Sequence, residues 1–568
     1  MVNLGKKWYH NHVCKKLGEY GILNIFAPSD NLIGKIENNE KAKKFFEVIR
    51  SVLIFAGLLF VFIKSIDYVN SGTYYEQAIN FRPICIAMGI VVLLMINPKS
   101  WLNIITPVWA VISFVFMRFA YINHWVKDNC DYKYPEIIRM GKIVAFIWGL
   151  AVIAILIDAA RNKDSERLKK KNHPLFLYGL WAGFLFLAII FMRDYFYVIY
   201  IAILFNILGF LFLDPKAREY FINKFELAGS ASFLYVMYMS LVHRPFDKQR
   251  YMSYFTNENT AGFYFGIIAV LIYMRLYRWW KKDKESNKYR TPIIIFYNIL
   301  FGIEMGFALL NYARTTIVGL IFSFAVMFVI HLITEKKKDV VKRAGIALLM
   351  VVLLFYPTFL MIRYIPAYIN KPVFIGWEYD PEERIIEGDP VDSDKYTSIT
   401  RYLRIVFGKW GLMINFEDAI YDEDEAPGDG MVEIDKDRDV TNGRVEIWTA
   451  FISRLNLTGH FPNHIYLTEG DPDTLIYHGH NTYLNIMYQY GVPAGIIYAL
   501  LNGFTYLYGA YLLVKKKEEG NSLVFGVLML GMVMMAQLTE TMVHPAYTIT
   551  MAIYLSIMTI MSVENKKK

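Results

Sequence analysis

Long apolar runs that carry almost no charge constrain this chain more than any other feature. The stretches 174–192 and 195–213 contain no charged residue, and each is long enough to cross a bilayer as a helix. A soluble core interrupts such runs with polar faces every few residues. By length and flanking charge, about fourteen runs qualify: 47–66, 83–96, 102–121, 143–160, 174–192, 195–213, 227–242, 260–279, 292–310, 315–333, 341–361, 492–514, 522–539 and 546–563. The second is short, and the pair around Arg193 and Asp194 also reads as a hairpin, so the count runs down to about twelve. The expected fold is all-α, a polytopic integral membrane protein of about 12–14 transmembrane helices.

The loops orient these spans. An N-terminal arm holds Lys6, Lys7, Lys15, Lys16, Lys41, Lys43 and Lys44, and every second loop after it is basic: Lys99, then 161–171, 214–224, 281–290, 335–343, 515–517 and 566–568. The positive-inside rule then puts both termini in the cytoplasm and the intervening loops outside. The same pattern accounts for the net charge of +9. The basic residues sit at span ends rather than in a domain that a phosphate backbone could track, so no nucleic-acid partner is expected. More than forty polar residues precede the first run, which argues for an anchor over a cleavable signal. Cys14, Cys85 and Cys130 make no disulfide framework and no metal spacing.

The chain thus divides into a cytoplasmic arm (1–46), about eleven helices (47–362), a large extracytoplasmic loop with short helices (363–481), about three further helices (482–563) and a cytoplasmic tail (564–568). The loop is acidic, most densely at 380–394 and 417–430. The stretch 398–414 reads as a basic amphipathic helix at the membrane interface, and 441–455 as a helix from about Arg444. The run Asp422-Glu423-Asp424-Glu425 lacks the spacing of a calcium loop and reads as a solvated acidic segment.

Several polar clusters fall on the outer side: 257–260, 311–316, 442–448, 477–484 and 539–545. The inner loops already use Lys and Arg for topology, so lone arginines at outer span ends need another reason. An arginine near hydrocarbon is costly unless paired, and its fork of donors suits a phosphate group.

HNTYLNIMYQYGVPAGIIY (480–498) resembles the signature of the O-antigen ligase and polymerase superfamily. In that signature a His-Asn pair opens a helix after a large loop and a glycine turn follows, here Gly491 and Gly495. NGRVEIWTAFISRLNLTGHFPN (442–463), FTNENTAGFYFGI (255–267) and YARTTIVGLIFSF (312–324) resemble the family's other segments, in the family's order. The resemblance covers roughly the C-terminal three fifths of the chain. It implies a GT-C-like, metal-independent glycosyltransferase of a bacterial cytoplasmic membrane, with its active site outside and no cofactor. The donor would be an oligosaccharide on polyprenyl (undecaprenyl) diphosphate, and the acceptor a growing polysaccharide or other glycan. A chain-length regulator as a further partner is left open. Carried over by residue, His480 is the general base, Arg314 and Arg444 hold the diphosphate, and Asn481 orients the base or the sugar. Asn257, Asn259, Arg401 and Arg404 are further candidate substrate contacts.

Each residue also has a plainer reading. His480 caps the following helix, and His478 is a loop residue, on another face if the chain is helical there. Arg314 pairs with Glu304 or a lipid headgroup, and Arg444 pairs with an acid of its own loop. Asn257 and Asn259 shape a helix start, Arg401 and Arg404 anchor at the interface, and His544 sits in a turn. The expected activity is polymerisation of lipid-linked repeat units. A ligase is the alternative within the superfamily, and a flippase of lipid-linked sugars the alternative outside it.

Overall fold

The computed structural model describes residues 38–71, 74–116, 118, 135–161, 174–191, 195–242, 251–282, 288–369, 373–374, 385–386, 444–460, 465–466, 475–476, 478–515, 520–541 and 548–563. Sixteen α-helices appear among them. The first eight are α1 (Glu40–Val69), α2 (Tyr74–Met95), α3 (Ile105–Phe116), α4 (Pro135–Arg161), α5 (Leu175–Phe191), α6 (Tyr195–Leu211), α7 (Pro215–Val242) and α8 (Glu258–Lys281). They are followed by α9 (Arg290–Asn311), α10 (Arg314–Thr334), α11 (Lys337–Tyr368), α12 (Arg444–Ile452), α13 (Thr482–Tyr490), α14 (Val492–Lys515), α15 (Asn521–Ala536) and α16 (Thr548–Met561). A 3-10 turn (Pro98–Ser100) and two antiparallel pairs of two-residue strands accompany them: β1 (Val373–Phe374) with β2 (Ile385–Ile386), and β3 (Ile465–Tyr466) with β4 (Leu475–Ile476).

Every apolar run expected to span falls on one of these helices. Among the described residues, nine helices are long and apolar enough to cross a membrane, and five more are apolar but shorter. Large apolar side chains face outward, with Phe114 69%, Leu348 66% and Val352 65% exposed. Water does not tolerate such faces in bulk, and a bilayer covers them. The chain is an all-α multi-pass membrane protein.

Two stretches read as cytoplasmic loops are largely helical. At 214–224 an Asp-Pro pair starts the helix early: Asp214 Oδ1 accepts the Lys216 N–H at 3.0 Å, and Pro215 takes the first helical position, where no N–H is needed. At 335–343 the helix α11 begins at Lys337. Lysine is a good helix former, so a basic composition does not interrupt the helix.

The chain forms two compact units. One comprises Met1–Pro174, Ile199–Ala228 and Met561–Lys568, and the other Leu175–Val198 and Gly229–Ile560. Within the first, α2 packs on α1 and α4, and α3 lies on α4. Buried Trp148 donates its indole N–H to the Cys85 carbonyl at 2.9 Å, while Cys14 and Cys130 lie outside the described residues. Within the second, α8 packs on α9 and α15, α9 on α11, α10 on α15, and α5 on α14. Small residues let these helices close in, as they must where lipid supplies no hydrophobic drive. A Cβ at Gly262 of α8 would lie 2.3 Å from the Ala313 Cβ, so the start of α8 is held against the turn before α10.

Candidate functional site

The described part of the large loop has its own small core. Phe451 of α12, Ile465 of β3, and Leu484 and Tyr488 of α13 are buried together, with Ile447, Trp448 and Ile476 packed around them. Phe451 and Tyr488 meet edge to face at 4.8 Å. The chain between α12 and β3 is laced to the end of α13: the His460 N–H donates to the Tyr488 carbonyl at 2.8 Å, and the Val492 N–H to the Asn456 carbonyl at 2.9 Å. This close approach needs glycine. Gly491 has φ +89°, and a Cβ there would stand 2.2 Å from the Leu457 carbonyl oxygen. The mini-core therefore fixes α12, which begins with Arg444, against α13, which follows His480.

The start of α13 is tied in turn to the stretch after α15. The Thr482 N–H donates to the Gln537 carbonyl at 2.8 Å, the Thr482 hydroxyl to the Glu540 carbonyl at 2.7 Å, and the Asn481 amide to the Leu538 carbonyl at 2.8 Å. Asn481, not His480, caps the helix, its Oδ1 accepting the Leu484 N–H at 3.0 Å. His480 adopts φ +44°, a left-handed conformation uncommon for a side chain with a Cβ. That strain is held by the bonds on both sides and aims the ring at Glu540.

Glu540 is the meeting point. Its side chain is 8% exposed. Oε2 lies 3.3 Å from Nδ1 of His480, and Oε1 accepts from Nη2 of Arg444 and, at 3.3 Å, from Nδ2 of Asn259. Three segments thus converge on one carboxylate. His480 remains 30% exposed and Arg444 21%, so both keep a surface for a ligand. His478 joins the group, its ring 4.3 Å from that of His480. The backbone from His478 to Asn481 is not helical, so His478 is a loop residue and nothing turns the two rings apart. The protein packed around His478, then the neighbouring His480 imidazole, hold its own imidazole below the ordinary range, and Arg444 adds to this. The Glu540 carboxylate and a backbone hydrogen bond pull the other way.

Arg314 reaches the site from the turn between α9 and α10. Tyr312 takes a left-handed φ of +56° there, its N–H donates to the Ala308 carbonyl at 3.2 Å, and Asn311 donates to the Tyr251 carbonyl at 2.7 Å. The next helix begins at Arg314, within electrostatic reach of Arg444. Its pairing with Glu304 is not formed: both carboxylate oxygens of Glu304 are buried without a hydrogen-bond partner among the described residues. Asn257 caps α8, accepting from the N–H groups of Asn259 and Thr260 at 2.9 and 3.1 Å. The structure therefore brings His480, Arg444 and Asn259 together at Glu540, leaves Arg314 within electrostatic reach of Arg444, uses Asn257 and Asn481 as caps, and leaves Arg401, Arg404 and His544 outside the described residues. Glu540 was not singled out by sequence reasoning, although its segment 539–545 stood among the outer polar clusters. The plainer reading of Arg444 pairs it with an acid of its own loop, whose residues 387–443 lie outside the described ones; among the described residues Arg444 finds an acid 96 residues away, at Glu540.

The family model described as O-antigen ligase matches residues 298–499. The matched stretch contains Arg314, Arg444, His480 and Asn481, and leaves out Asn257, Asn259 and Glu540. No curated protein and no solved structure matches the chain. The stretch 298–499 is thus similar to a family within the superfamily that the ordered motifs resemble.

Proposed function

We propose that this protein is a metal-independent glycosyltransferase that polymerises polyprenyl-diphosphate-linked repeat units into a cell-surface polysaccharide. It acts at the outer face of a bacterial cytoplasmic membrane, with both termini inside. The basic loops support the orientation, and the O-antigen ligase domain supports the reaction class. The observation that carries the reading is the carboxylate of Glu540, shared by His480 and Arg444.

A sugar hydroxyl is a poor nucleophile at neutral pH, so a positioned base helps. In this reading Nδ1–H of His480 donates to Glu540, which fixes the tautomer and leaves the Nε2 lone pair for the acceptor hydroxyl. The acceptor oxygen bonds to the anomeric carbon of the donor glycan. The bond from that carbon to the diphosphate oxygen breaks and its electron pair stays on the diphosphate. The proton passes to Nε2. Attack opposite the leaving group inverts the anomeric centre. Arg314 and Arg444 stabilise the charge that grows on the departing lipid diphosphate. Arg444 spends Nη2 on Glu540 and keeps its other donors for the diphosphate. Asn259, held by the same carboxylate, lines the site.

The description of the matching family favours a second reading, transfer of the glycan once to a lipid or protein acceptor. Incubating the purified protein with an undecaprenyl-diphosphate oligosaccharide separates the cases. A ladder of lengthening products is expected. A single transfer to a different added acceptor replaces polymerase with ligase, and unchanged substrate that moves between leaflets replaces both with a flippase.

A further inference from the structure

A base that takes a proton in every cycle must also lose one. In the reading above, Glu540 holds Nδ1 of His480 at 3.3 Å and Nε2 faces the acceptor hydroxyl. The open part of the His480 ring is then the part that the glycan covers, so bulk water has no free approach to the new N–H. The departing diphosphate is a poor sink for the proton, because Arg314 and Arg444 beside it favour its charged form. The proton leaves through a neighbouring group.

His478 is that neighbour. Its ring meets the ring of His480 edge to face, with centroids 4.3 Å apart and planes at 73°. At this separation a nitrogen of one ring reaches a nitrogen of the other directly or through one water. His478 is exposed while Glu540 is buried, so one ring of the pair faces the carboxylate and the other faces solvent. The backbone holds it there. β4 precedes it, paired with β3, and Gly479 follows it, with its N–H donating to Asn485 Oδ1 at 3.4 Å. Gly479 also packs on Phe451 of the mini-core, whose ring would lie 3.5 Å from a Cβ there. The Glu540 carboxylate is taken up by His480, Arg444 and Asn259. A hydrogen bond to its own backbone holds one ring nitrogen of His478 as a donor, which leaves the lone pair on the other. The protein around His478 keeps its imidazole below the ordinary range, so it stands neutral between cycles and releases a proton readily.

We propose that His478 is a proton relay: it takes the proton that His480 has drawn from the acceptor hydroxyl and passes it to water. The inference rests on His480 as the base of the proposed reaction. The N–H bond at Nε2 of His480 breaks, and its electron pair stays on that ring. A new N–H bond forms at the free nitrogen of His478, which becomes an imidazolium. That ring then gives one proton to a water molecule, and both imidazoles are neutral for the next transfer. No bond at the anomeric carbon is involved. His478 therefore sets how often the cycle runs, and leaves the rate of a single transfer unchanged.

The full chain with an undecaprenyl-diphosphate oligosaccharide tests this in two regimes. Enzyme in excess reads one transfer, and substrate in excess reads the repeating cycle. His478→Ala should leave the single transfer at the wild-type rate and slow the repeating cycle about tenfold, less than the loss of a general base itself. Imidazole added to the buffer should restore the lost rate, since it takes the proton where the side chain did. His478→Phe keeps a ring against His480 but has no nitrogen, and should be as slow as His478→Ala. Should either variant fail to fold, His478→Gln carries the same expectation. Four results would overturn the proposal: wild-type cycling by His478→Ala, an equal slowing of its single transfer, no recovery with imidazole, or wild-type cycling by His478→Phe, which would make the role one of packing. The underlying reading fails separately. Wild-type protein that transfers no sugar removes the glycosyltransferase, and normal transfer by His480→Ala removes the base.

Discussion

Replacing Glu540 by Gln tests the core of the site with the least disturbance of shape. The side chain is 8% exposed and touches His480, Arg444 and Asn259, so a volume change would repack all three. The amide keeps the volume and removes the charge. With Oε2 3.3 Å from Nδ1, a full charge pair would be worth roughly 5 kcal/mol at an effective dielectric of about 20. His480 is 30% exposed, so water screens part of this, and the Gln carbonyl still accepts from Nδ1. A loss of about 2–3 kcal/mol in the transition state remains, a fall of roughly 30- to 150-fold in kcat.

Glu540 acts through His480, so its effect has a ceiling. A general base is worth about 10²–10⁴ in rate, and His480→Ala removes all of it. The double variant should therefore be no slower than His480→Ala alone. Arg444 gives a second readout. Freed of its counter-charge it binds the donor diphosphate at least as well, so KM should hold or fall while kcat drops. The assay is the initial rate of glycan transfer over a range of donor concentrations, with the thermal midpoint recorded for each variant. Two results would refute the reasoning: a wild-type rate for Glu540→Gln in a well-folded protein, or a double variant whose loss is the product of the two single losses.

Arg314→Lys keeps the charge and removes the planar fork; kcat/KM for the lipid-linked donor should fall about 10- to 100-fold, and an unchanged value would move the diphosphate elsewhere. Gly491→Ala should lower the thermal midpoint sharply, because the new Cβ would sit 2.2 Å from the Leu457 carbonyl oxygen at φ +89°; an unchanged midpoint would mean that the 456–460 lacing contributes nothing. Glu335, at the end of α10, sets a pH response. Burial raises its carboxyl, but hydrogen bonds from His331, Arg343 and Lys281 outweigh it and hold the group well below the ordinary carboxylate range. A depressed folded pKa gives stability that is present above the unfolded value of about 4.3 and lost as pH falls through the folded one. The wild-type midpoint should therefore drop more steeply below pH ~4 than that of Glu335→Gln, and parallel curves would remove this group from the acid response.

The helices were legible because hydrocarbon leaves little choice. A run such as 174–192 must satisfy its backbone internally, and only a helix does so over one segment. Helix starts were less legible where charged residues are good helix formers, as at Lys337, or where an Asp-Pro pair starts the helix early, as at Asp214. His480 and Arg444 stood out in the sequence because a His-Asn pair and a lone arginine are unusual beside an acidic loop, and both meet at Glu540. Glu540 was not, because an acid in a short polar segment is unremarkable until its partners are known. Those partners lie 60, 96 and 281 residues away in sequence. The acid-rich loop also offered Arg444 many local carboxylates, and no local pattern ranks them below a distant one.

The site's position follows from where backbone groups go unpaired. Every residue converging on Glu540 sits at a helix end: Asn259 in the first turn of α8, Arg444 at the start of α12, His480 before α13, and Glu540 itself just past α15. The last carbonyls of α15 accept from Gln537, Leu538 and Thr539, but the carbonyls of the chain just past the helix need donors of their own. Here Thr482 and Asn481 supply them, at Gln537, Leu538 and Glu540. The bonds that satisfy the chain just past α15 are thus the same bonds that set the His480 backbone and face its ring to the carboxylate. A chain that satisfies its helix ends in this way has already built the rigid frame a base needs. Asn481→Ala should then cost activity beyond its cap, because it loosens His480 as well as α13. Asn481→Asp preserves the cap acceptor but loses the donor to Leu538, so it should rescue stability and not rate. Equal recovery of both would detach the frame from the chemistry.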